Sequence, residues 1–146
     1  INIVPKYIDK KEFNQEIAKI SPNFIKIYRE SEIAESMGLI EVAGVGYRKS
    51  LEFLIKDYAI ANNPNDKSKI EIIPLAKCIS EYIKTPNIKS LLERCTWLGN
   101  DQTHYVKKHI GKDINDLKGL FDISISYIQM ELLSQKAIKE IQPVKK

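Results

Sequence analysis

Cysteine, histidine and tryptophan are scarce in this chain of 146 residues, and their scarcity argues against several kinds of site. The two cysteines, Cys78 and Cys95, lie in apolar helical patterns and form no C-x-x-C pair. This spacing argues against a disulfide framework and a thiolate zinc site, and it favours buried free thiols in a reducing compartment. Two histidines and scattered carboxylates offer no metal ligand set, so we expect neither a metal nor another cofactor.

Long hydrophobic runs are missing as well. No apolar stretch approaches the roughly 20 residues that cross a bilayer, and no signal peptide is visible. We therefore expect a cytoplasmic protein with no membrane partner. Because the chain begins at Ile1 rather than at Met, it can be a fragment of a longer gene product.

The common enzyme signatures are also absent, including the phosphate-binding glycine loops, H-E-x-x-H and G-x-S-x-G. Catalysis, if the protein has any, must therefore rely on a sparse set of residues. The net charge of +4 is mild, and it permits contact with nucleic acid or an acidic partner without requiring it.

The apolar pattern predicts helices throughout. Residues recur at helical spacing in six segments, namely 10–20, 23–37, 40–61, 72–84, one that opens at Thr85-Pro86, and 113–141. Residues 69–73 alternate briefly, but no segment alternates for long enough to form a strand. We predict an all-α bundle of five to six helices in a single domain of residues 1–146. Residues 1–20 are expected to be an N-terminal extension and 142–146 a frayed tail.

Local signals mark several helix ends. Ser21 and Thr85 each precede a proline, which is typical of an N-cap followed by proline in the first turn. Gly38 is suited to a C-terminal stop. Gly44 and Gly46 lie near the start of the third helix, where glycine weakens a helix. They indicate either the close approach of a neighbouring helix or a helix that starts later.

The most unusual stretch is 94–105, which holds the only tryptophan and one of the two histidines. If the helix continues through Gly99, its side chains form a mixed aromatic and polar stripe about 120° wide. The stripe comprises Arg94, Trp97, Leu98, Asp101, His104 and Tyr105, with Asn100 one turn from His104. In one interpretation His104 and Asn100 make buried hydrogen bonds between two helices and Trp97 belongs to the core. In the other, they form a polar pocket in which His104 acts as an acid or base.

Charged residues before and after this stretch allow two interpretations. Arg48, Glu52 and Lys56 repeat every four residues, which is typical of an exposed ladder of ion pairs. Alternatively, Arg48 faces the stripe and fixes Asp101 or a ligand phosphate. The run 107–109, Lys-Lys-His, follows His104 and favours a rim that attracts phosphate.

Three segments together resemble a known family. Residues 21–24, 44–54 and 97–105 are similar to the bacterial and phage family called domain of unknown function 4145, and the similarity extends from about Ser21 to about Ile128. That family is regarded as similar to the HEPN superfamily of helical bundles. The resemblance implies a HEPN-like fold, a homodimer, RNA or a nucleotide as partner, and a role in phage defence or toxin–antitoxin systems.

The resemblance also implies where activity would lie. HEPN ribonucleases are expected to carry an arginine separated from a following histidine by four to six residues, but here Trp97, Leu98 and Gly99 occupy the corresponding positions before His104. We therefore predict a non-catalytic nucleic-acid-associated or dimerisation module. The alternative is a metal-independent endoribonuclease with His104 as general base. Its catalytic residues would be His104, Asn100, Asp101 and Arg94, and its binding residues Arg48, Glu52, Trp97 and Tyr105.

His104→Ala distinguishes these hypotheses. If His104 is catalytic, the substitution abolishes RNA cleavage and costs little stability. If His104 is buried and structural, it leaves partners unsatisfied and costs about 1–3 kcal/mol. Thermal melting and an RNA cleavage assay on this variant measure both effects, and a variant that changes neither contradicts both hypotheses.

Overall fold

Helices make up every regular element of the described chain, which comprises residues 10–145 of a computed structural model. The bundle is therefore all-α, as predicted. Seven α-helices follow one another, with a 3₁₀ turn, Pro64–Asp66, before the fourth: α1 Gln15–Ile20, α2 Pro22–Ser36, α3 Ile40–Asn62, α4 Lys67–Ile72, α5 Leu75–Tyr82, α6 Pro86–Thr103 and α7 Ile114–Glu140.

The count of seven corrects the prediction of five to six helices. The helix predicted over 72–84 begins only at Leu75, because Pro74 has no N–H to donate and disfavours a helical Ile73. Ile73 accordingly adopts an extended conformation, with φ −77° and ψ 153°, and ends α4. The brief alternation over 69–73 therefore lies largely in a short helix that the sequence pattern did not reveal.

The N-terminal segment also departs from expectation. The helix predicted over 10–20 begins only at Gln15. Ile17 is completely buried, and the Phe13 ring packs edge-on against Phe24 at a centroid distance of 5.0 Å. The described part of the expected extension is thus integrated into the core, because its apolar side chains cover one end of α2 and α7.

Helix α3 lies at the centre and contacts every other helix. It begins at Ile40, so the two glycines near its start lie within the helix. A Cβ atom at Gly44 would overlap the side chain of Gln102 in α6, and one at Gly46 would overlap the hydroxyl of Ser31 in α2. Of the two interpretations of these glycines, the close approach of neighbouring helices is confirmed.

The predicted N-caps are right in position but differ in chemistry. Ser21 and Thr85 precede α2 and α6, yet neither side chain caps its helix. The Ser21 hydroxyl instead donates to the carboxylate of Asp57 at 2.5 Å, which joins the start of α2 to α3. By contrast, α7 has a full capping box, in which Asp113 and Asp116 each accept the other's backbone N–H.

A partly buried ion pair joins three helices. One oxygen of Glu35, in α2, accepts hydrogen bonds from the Tyr47 hydroxyl of α3 at 2.7 Å and from the Lys118 ammonium of α7 at 2.9 Å. The Glu35 side chain is only 12% exposed. Burial, followed by the bond to Glu35, raises the pKa of Tyr47 above its usual range, so the phenol remains a donor. This cluster was not predicted from the sequence.

The cysteines match expectation, since Cys78 and Cys95 are both buried and unpaired. Burial raises the pKa of each thiol to about 11, so both are neutral and unreactive near neutral pH. Within residues 10–145, no helix is both long enough and apolar enough to cross a membrane.

Glu35→Ala is expected to destabilise the fold by about 2–3 kcal/mol, because it leaves the Tyr47 hydroxyl and the Lys118 ammonium without their acceptor. Urea denaturation followed by circular dichroism measures the effect. Glu30→Ala, on the exposed side of the same helix, is the matched control and should change stability by less than about 0.5 kcal/mol. Equal stability of the two variants would show that the Glu35 cluster contributes nothing.

Candidate functional site

Helix α6 continues through Gly99 as the predicted stripe requires, but it ends at Thr103. His104 is extended, with φ −90° and ψ 149°, so the chain leaves the helix there. Tyr105 is fully exposed outside the helix. The prediction of one helical stripe is therefore confirmed for Arg94, Trp97 and Asp101, which lie in α6, and wrong for His104 and Tyr105, which lie beyond its end.

The interpretation of His104 as a buried structural residue is wrong. Its side chain is exposed and makes no hydrogen bond to any residue that the structure describes. Trp97 is 44% exposed and so does not belong to the core. The physical reason is that α3 and α7 cover the opposite side of α6, as the buried contact of 3.4 Å between Cys95 and Ser124 shows.

Arg48 does face the C-terminal part of α6, but it fixes a different residue from the one predicted. Its Nε donates to Asn100 Oδ1 at 3.0 Å, whereas no bond to Asp101 forms. The guanidinium lies 3.8 Å from the carboxylate of Glu52, so this step of the predicted ladder is present. Lys56 leaves the ladder and donates to backbone carbonyls at the end of α4.

Arg94 does not approach His104. Its guanidinium donates to the backbone carbonyl of Ser90 at 3.0 Å and lies 5.4 Å from the centre of the Trp97 ring. It lines a groove between α6 and α7 together with Ile123 and Tyr127. The predicted catalytic set is thus divided, because Arg94 belongs to a neighbouring surface.

Asp101 organises the loop between α6 and α7. Its carboxylate is only 4% exposed, and it accepts the backbone N–H groups of Lys108 and His109, each at 2.9 Å. Burial raises the pKa of this carboxyl, but these hydrogen bonds and the His109 ring lower it more, so that it lies below its ordinary value of 3.8. An ionised carboxylate with all its contacts inside the loop serves as an anchor.

His109 takes the position that was expected of His104. Its Nδ1 lies 3.2 Å from Asp101 Oδ2, and its ring is parallel to that of Trp97 within 3°, with 6.1 Å between centroids. Helical spacing could not reveal this contact, because His109 reaches Trp97 through a loop. The only available signal was an acidic residue near the end of α6, which can accept backbone N–H groups.

Six residues line a shallow depression of about 90 Å³ at this point: Trp97, Asn100, Asp101, His104, Lys108 and His109. Sites that enclose a small organic ligand usually measure at least roughly 300 Å³. The depression is therefore too small to enclose more than a small group, and anything larger must rest on the surface. In the part of the chain that the structure describes, no group of three or more His, Cys, Asp or Glu residues is placed to hold a metal.

The loop beside the depression is basic and aromatic. Residues 102–112 contain three lysines, both histidines and no acidic residue. The ionised carboxylate of Asp101, which contacts this loop, offsets part of the positive charge. The surface thus combines exposed flat rings, those of Trp97, Tyr105 and His109, with mobile cationic side chains.

Comparison with known proteins adds no family assignment. No family model matches the chain, and neither the curated proteins nor the solved structures that were compared with it give a match.

Asp101→Asn is expected to destabilise the protein by about 1–2 kcal/mol at pH 7, because the neutral amide binds the two loop N–H groups more weakly. Since the folded-state pKa of Asp101 is depressed, its contribution is fully present above pH 3.8 and is lost as the pH falls further. The difference from the wild type should therefore shrink below pH 3.8. Denaturation followed by the fluorescence of the single tryptophan, at pH 7 and pH 3, measures this.

Glu140→Gln serves as the control, since this residue is exposed at the end of α7 and should change stability little at either pH. A deficit of Asp101→Asn that stayed constant with pH would contradict the anchoring role.

Proposed function

We propose that this protein is a non-catalytic helical module that binds single-stranded RNA, acts as a homodimer and belongs to the phage-defence setting implied by the family resemblance. One observation supports the RNA part above all. The partly exposed stack of Trp97 and His109 lies beside a loop, 102–112, that carries three lysines and no acid. This combination of stacking platform and positive charge is typical of surfaces that bind single strands.

The ring surface favours unpaired bases. Stacking of a base on an aromatic side chain contributes about 1–3 kcal/mol, and it requires a base face that a duplex keeps covered. Trp97 is exposed enough to receive one, and Tyr105, fully exposed in the same loop, provides a second ring. We therefore expect a preference for single strands with little dependence on sequence.

The cations favour a polyanion. Lys107, Lys108 and Lys112 lie within six residues of one another, and the Arg94 guanidinium lies over the Trp97 ring. A phosphate that enters the depression meets Lys108 and the two imidazoles. Each phosphate that is neutralised releases counterions, so binding should weaken steeply as salt increases.

A metal-independent endoribonuclease is the second candidate, and the shared depression of His104 and His109 is the observation in its favour. Neutral His104 would take the proton of a ribose 2′-hydroxyl, whose oxygen attacks phosphorus and forms a 2′,3′-cyclic phosphate. The bond from phosphorus to the 5′-oxygen breaks, and protonated His109 gives its proton to that oxygen. Arg94 has no part in this scheme, and Lys108 would stabilise the phosphate.

We place this candidate second because the histidine pair lacks an arginine. Among the described residues, no arginine lines the depression, and Arg48 is engaged by Asn100 and Glu52. Without a strong cation fixed beside the phosphate, a main source of transition-state stabilisation is weak.

Trp97→Ala should weaken the binding of a fluorescent oligouridylate of roughly 12 nucleotides about tenfold, because one stacking face is lost. Trp97→Phe should retain most of the affinity, and Ile33→Ala, at an exposed apolar position on α2, should change nothing. Fluorescence anisotropy at two salt concentrations measures all three, with an RNA duplex of equal length as the competitor. Unchanged affinity of Trp97→Ala, or equal affinity for the duplex, would refute this surface.

Incubation of RNA with the protein and a chelator tests the second candidate. The proposed function predicts no cleavage by the wild type. If the wild type does cleave, His104→Ala and His109→Ala should each abolish the cyclic-phosphate product. The control is Lys84→Ala, at an exposed lysine that does not line the depression, and this variant should still form the product. Cleavage that survives both histidine substitutions would indicate a contaminating nuclease.

A further inference from the structure

The outer face of α7 is apolar, and no residue of the described range 10–145 covers it. Six large apolar side chains on α7 or at its C-cap are exposed, and they lie along most of its length: Ile123, Tyr127, Met130, Leu133, Ile138 and Ile141. Scattered exposed apolar residues are ordinary, but a continuous row on one helix marks an interaction surface.

This face lies opposite the core. The residues of α7 that pack into the bundle are Ile114, Leu117, Phe121, Ser124, Ile125, Ile128 and Leu132. On a helical wheel their centre lies roughly 140° from that of the exposed row. The exposed row therefore cannot be covered by a small adjustment of the bundle.

The row also has the spacing of a helix-pairing seam. Steps of three and four residues connect four members of this row with three further positions of α7, and none of the seven is charged: Leu120, Ile123, Tyr127, Met130, Ser134, Ala137 and Ile141. Leu120 is partly buried against the core and forms the inner end of the series. Such a repeat, continued for three heptads, is the pattern by which one helix packs along another. We call these seven residues the α7 seam.

The last two turns of α7 extend beyond the packed part of the bundle. Every residue from 133 to 140 is exposed, although the helix continues to Glu140. Among residues 10–145, its side-chain hydrogen bonds to other helices come from Gln135 and Lys136. An end of a helix that packs against little gains no stability from tertiary contacts, which a partner would supply.

We propose that the α7 seam is the surface on which a second copy of this chain docks, with the two α7 helices antiparallel. The inference rests on the homodimer of the proposed function and specifies its interface. Its basis is self-complementarity, because the larger side chains lie in the first half of the seam and most of the smaller ones in the second. An antiparallel pair places Leu120 opposite Ala137, Ile123 opposite Ser134, and Tyr127 opposite Met130 of the other copy.

Each of these layers occurs twice about the two-fold axis, as an isologous dimer requires. A large side chain facing a small one lets helices approach closely, and the Tyr127–Met130 layer places sulfur against an aromatic ring. None of the seven seam residues is charged, so pairing of the two seams buries no charged seam residue.

The available area is adequate for a dimer. The seam is roughly 33 Å long at 1.5 Å per residue, and the groove of Leu91 and Arg94 on α6 widens it along the half near Ile123 and Tyr127. A face two helices wide, roughly 20 Å, along one half and one helix wide, roughly 10 Å, along the other offers on the order of 500 Å² of flat area per copy. A standard interface buries roughly 800 Å² of accessible surface on each partner, so this face suits a dimer at the weaker end of the range.

Light scattering coupled to size exclusion tests the surface. The wild type should have twice the chain mass at tens of micromolar protein, and Met130→Glu should have the mass of one chain. Met130 is 68% exposed, so the substitution should leave the fold intact, which circular dichroism and thermal melting verify. Ile72→Glu, at an even more exposed apolar residue on α4, should remain dimeric.

Disulfide trapping tests the register. In the double variant Ile123→Cys/Ser134→Cys, the two new thiols of one chain lie roughly 16 Å apart, too far to bridge, but each meets its counterpart across the interface. Oxidation should therefore give a covalent dimer from the double variant and from neither single variant. The native thiols are both buried, so they add no background.

The outcomes distinguish this inference from the proposed function. A monomeric wild type overturns the dimer and the α7 interface together. A wild-type dimer that persists in Met130→Glu overturns the interface alone and leaves the homodimer intact. Cross-linking by a single variant, or none by the double variant, overturns the antiparallel register. Affinity for oligouridylate, measured on monomeric Met130→Glu, reports on the Trp97 surface independently of all three.

Discussion

The carboxylate of Glu35 connects the two halves of this bundle. It binds Tyr47 in α3 and Lys118 in α7 at the same oxygen, and so links the last helix directly to α2 and α3. Once α7 is placed, its contact from Ser124 to Cys95 sets the register of α6. Because α6 and α7 are joined by one loop, the surface around Trp97 depends on that placement.

The two sides of helix α7 have different roles. Its inner side supplies large core residues such as Phe121 and Ile128, which are completely buried. Its outer side carries the apolar α7 seam, in which Leu120 packs partly against the core while Ile123, Met130 and Ile141 are exposed. An apolar face that does not stabilise its own fold promotes aggregation unless it has a partner, and this physical cost is the reason to expect one.

Most of the fold was predictable because its signals are local. Capping residues, prolines and apolar spacing predicted both ends of α2, α3 and α7 and the start of α6 to within about a residue. Of the two interpretations of Gly44 and Gly46, the structure confirms the close approach of neighbouring helices. Local signals failed around Ile73, because the short helix α4 before it was not predicted and Pro74 delays the start of α5 to Leu75. They also could not reveal the Glu35 cluster, since its members are joined only through the packing of three helices.

The candidate site shows the same division at the level of single residues. Helical periodicity brought Arg94, Trp97 and Asp101 to one face correctly, because all three belong to α6. It extended that face to His104 wrongly, because periodicity has no meaning beyond the last helical hydrogen bond. The histidine that does reach Trp97 is held by a carboxylate that folds the loop back on its own helix. Asp101 therefore places the imidazole of His109 beside the Trp97 ring. This arrangement follows from a contact within the loop, which the spacing of residues in the sequence does not reveal.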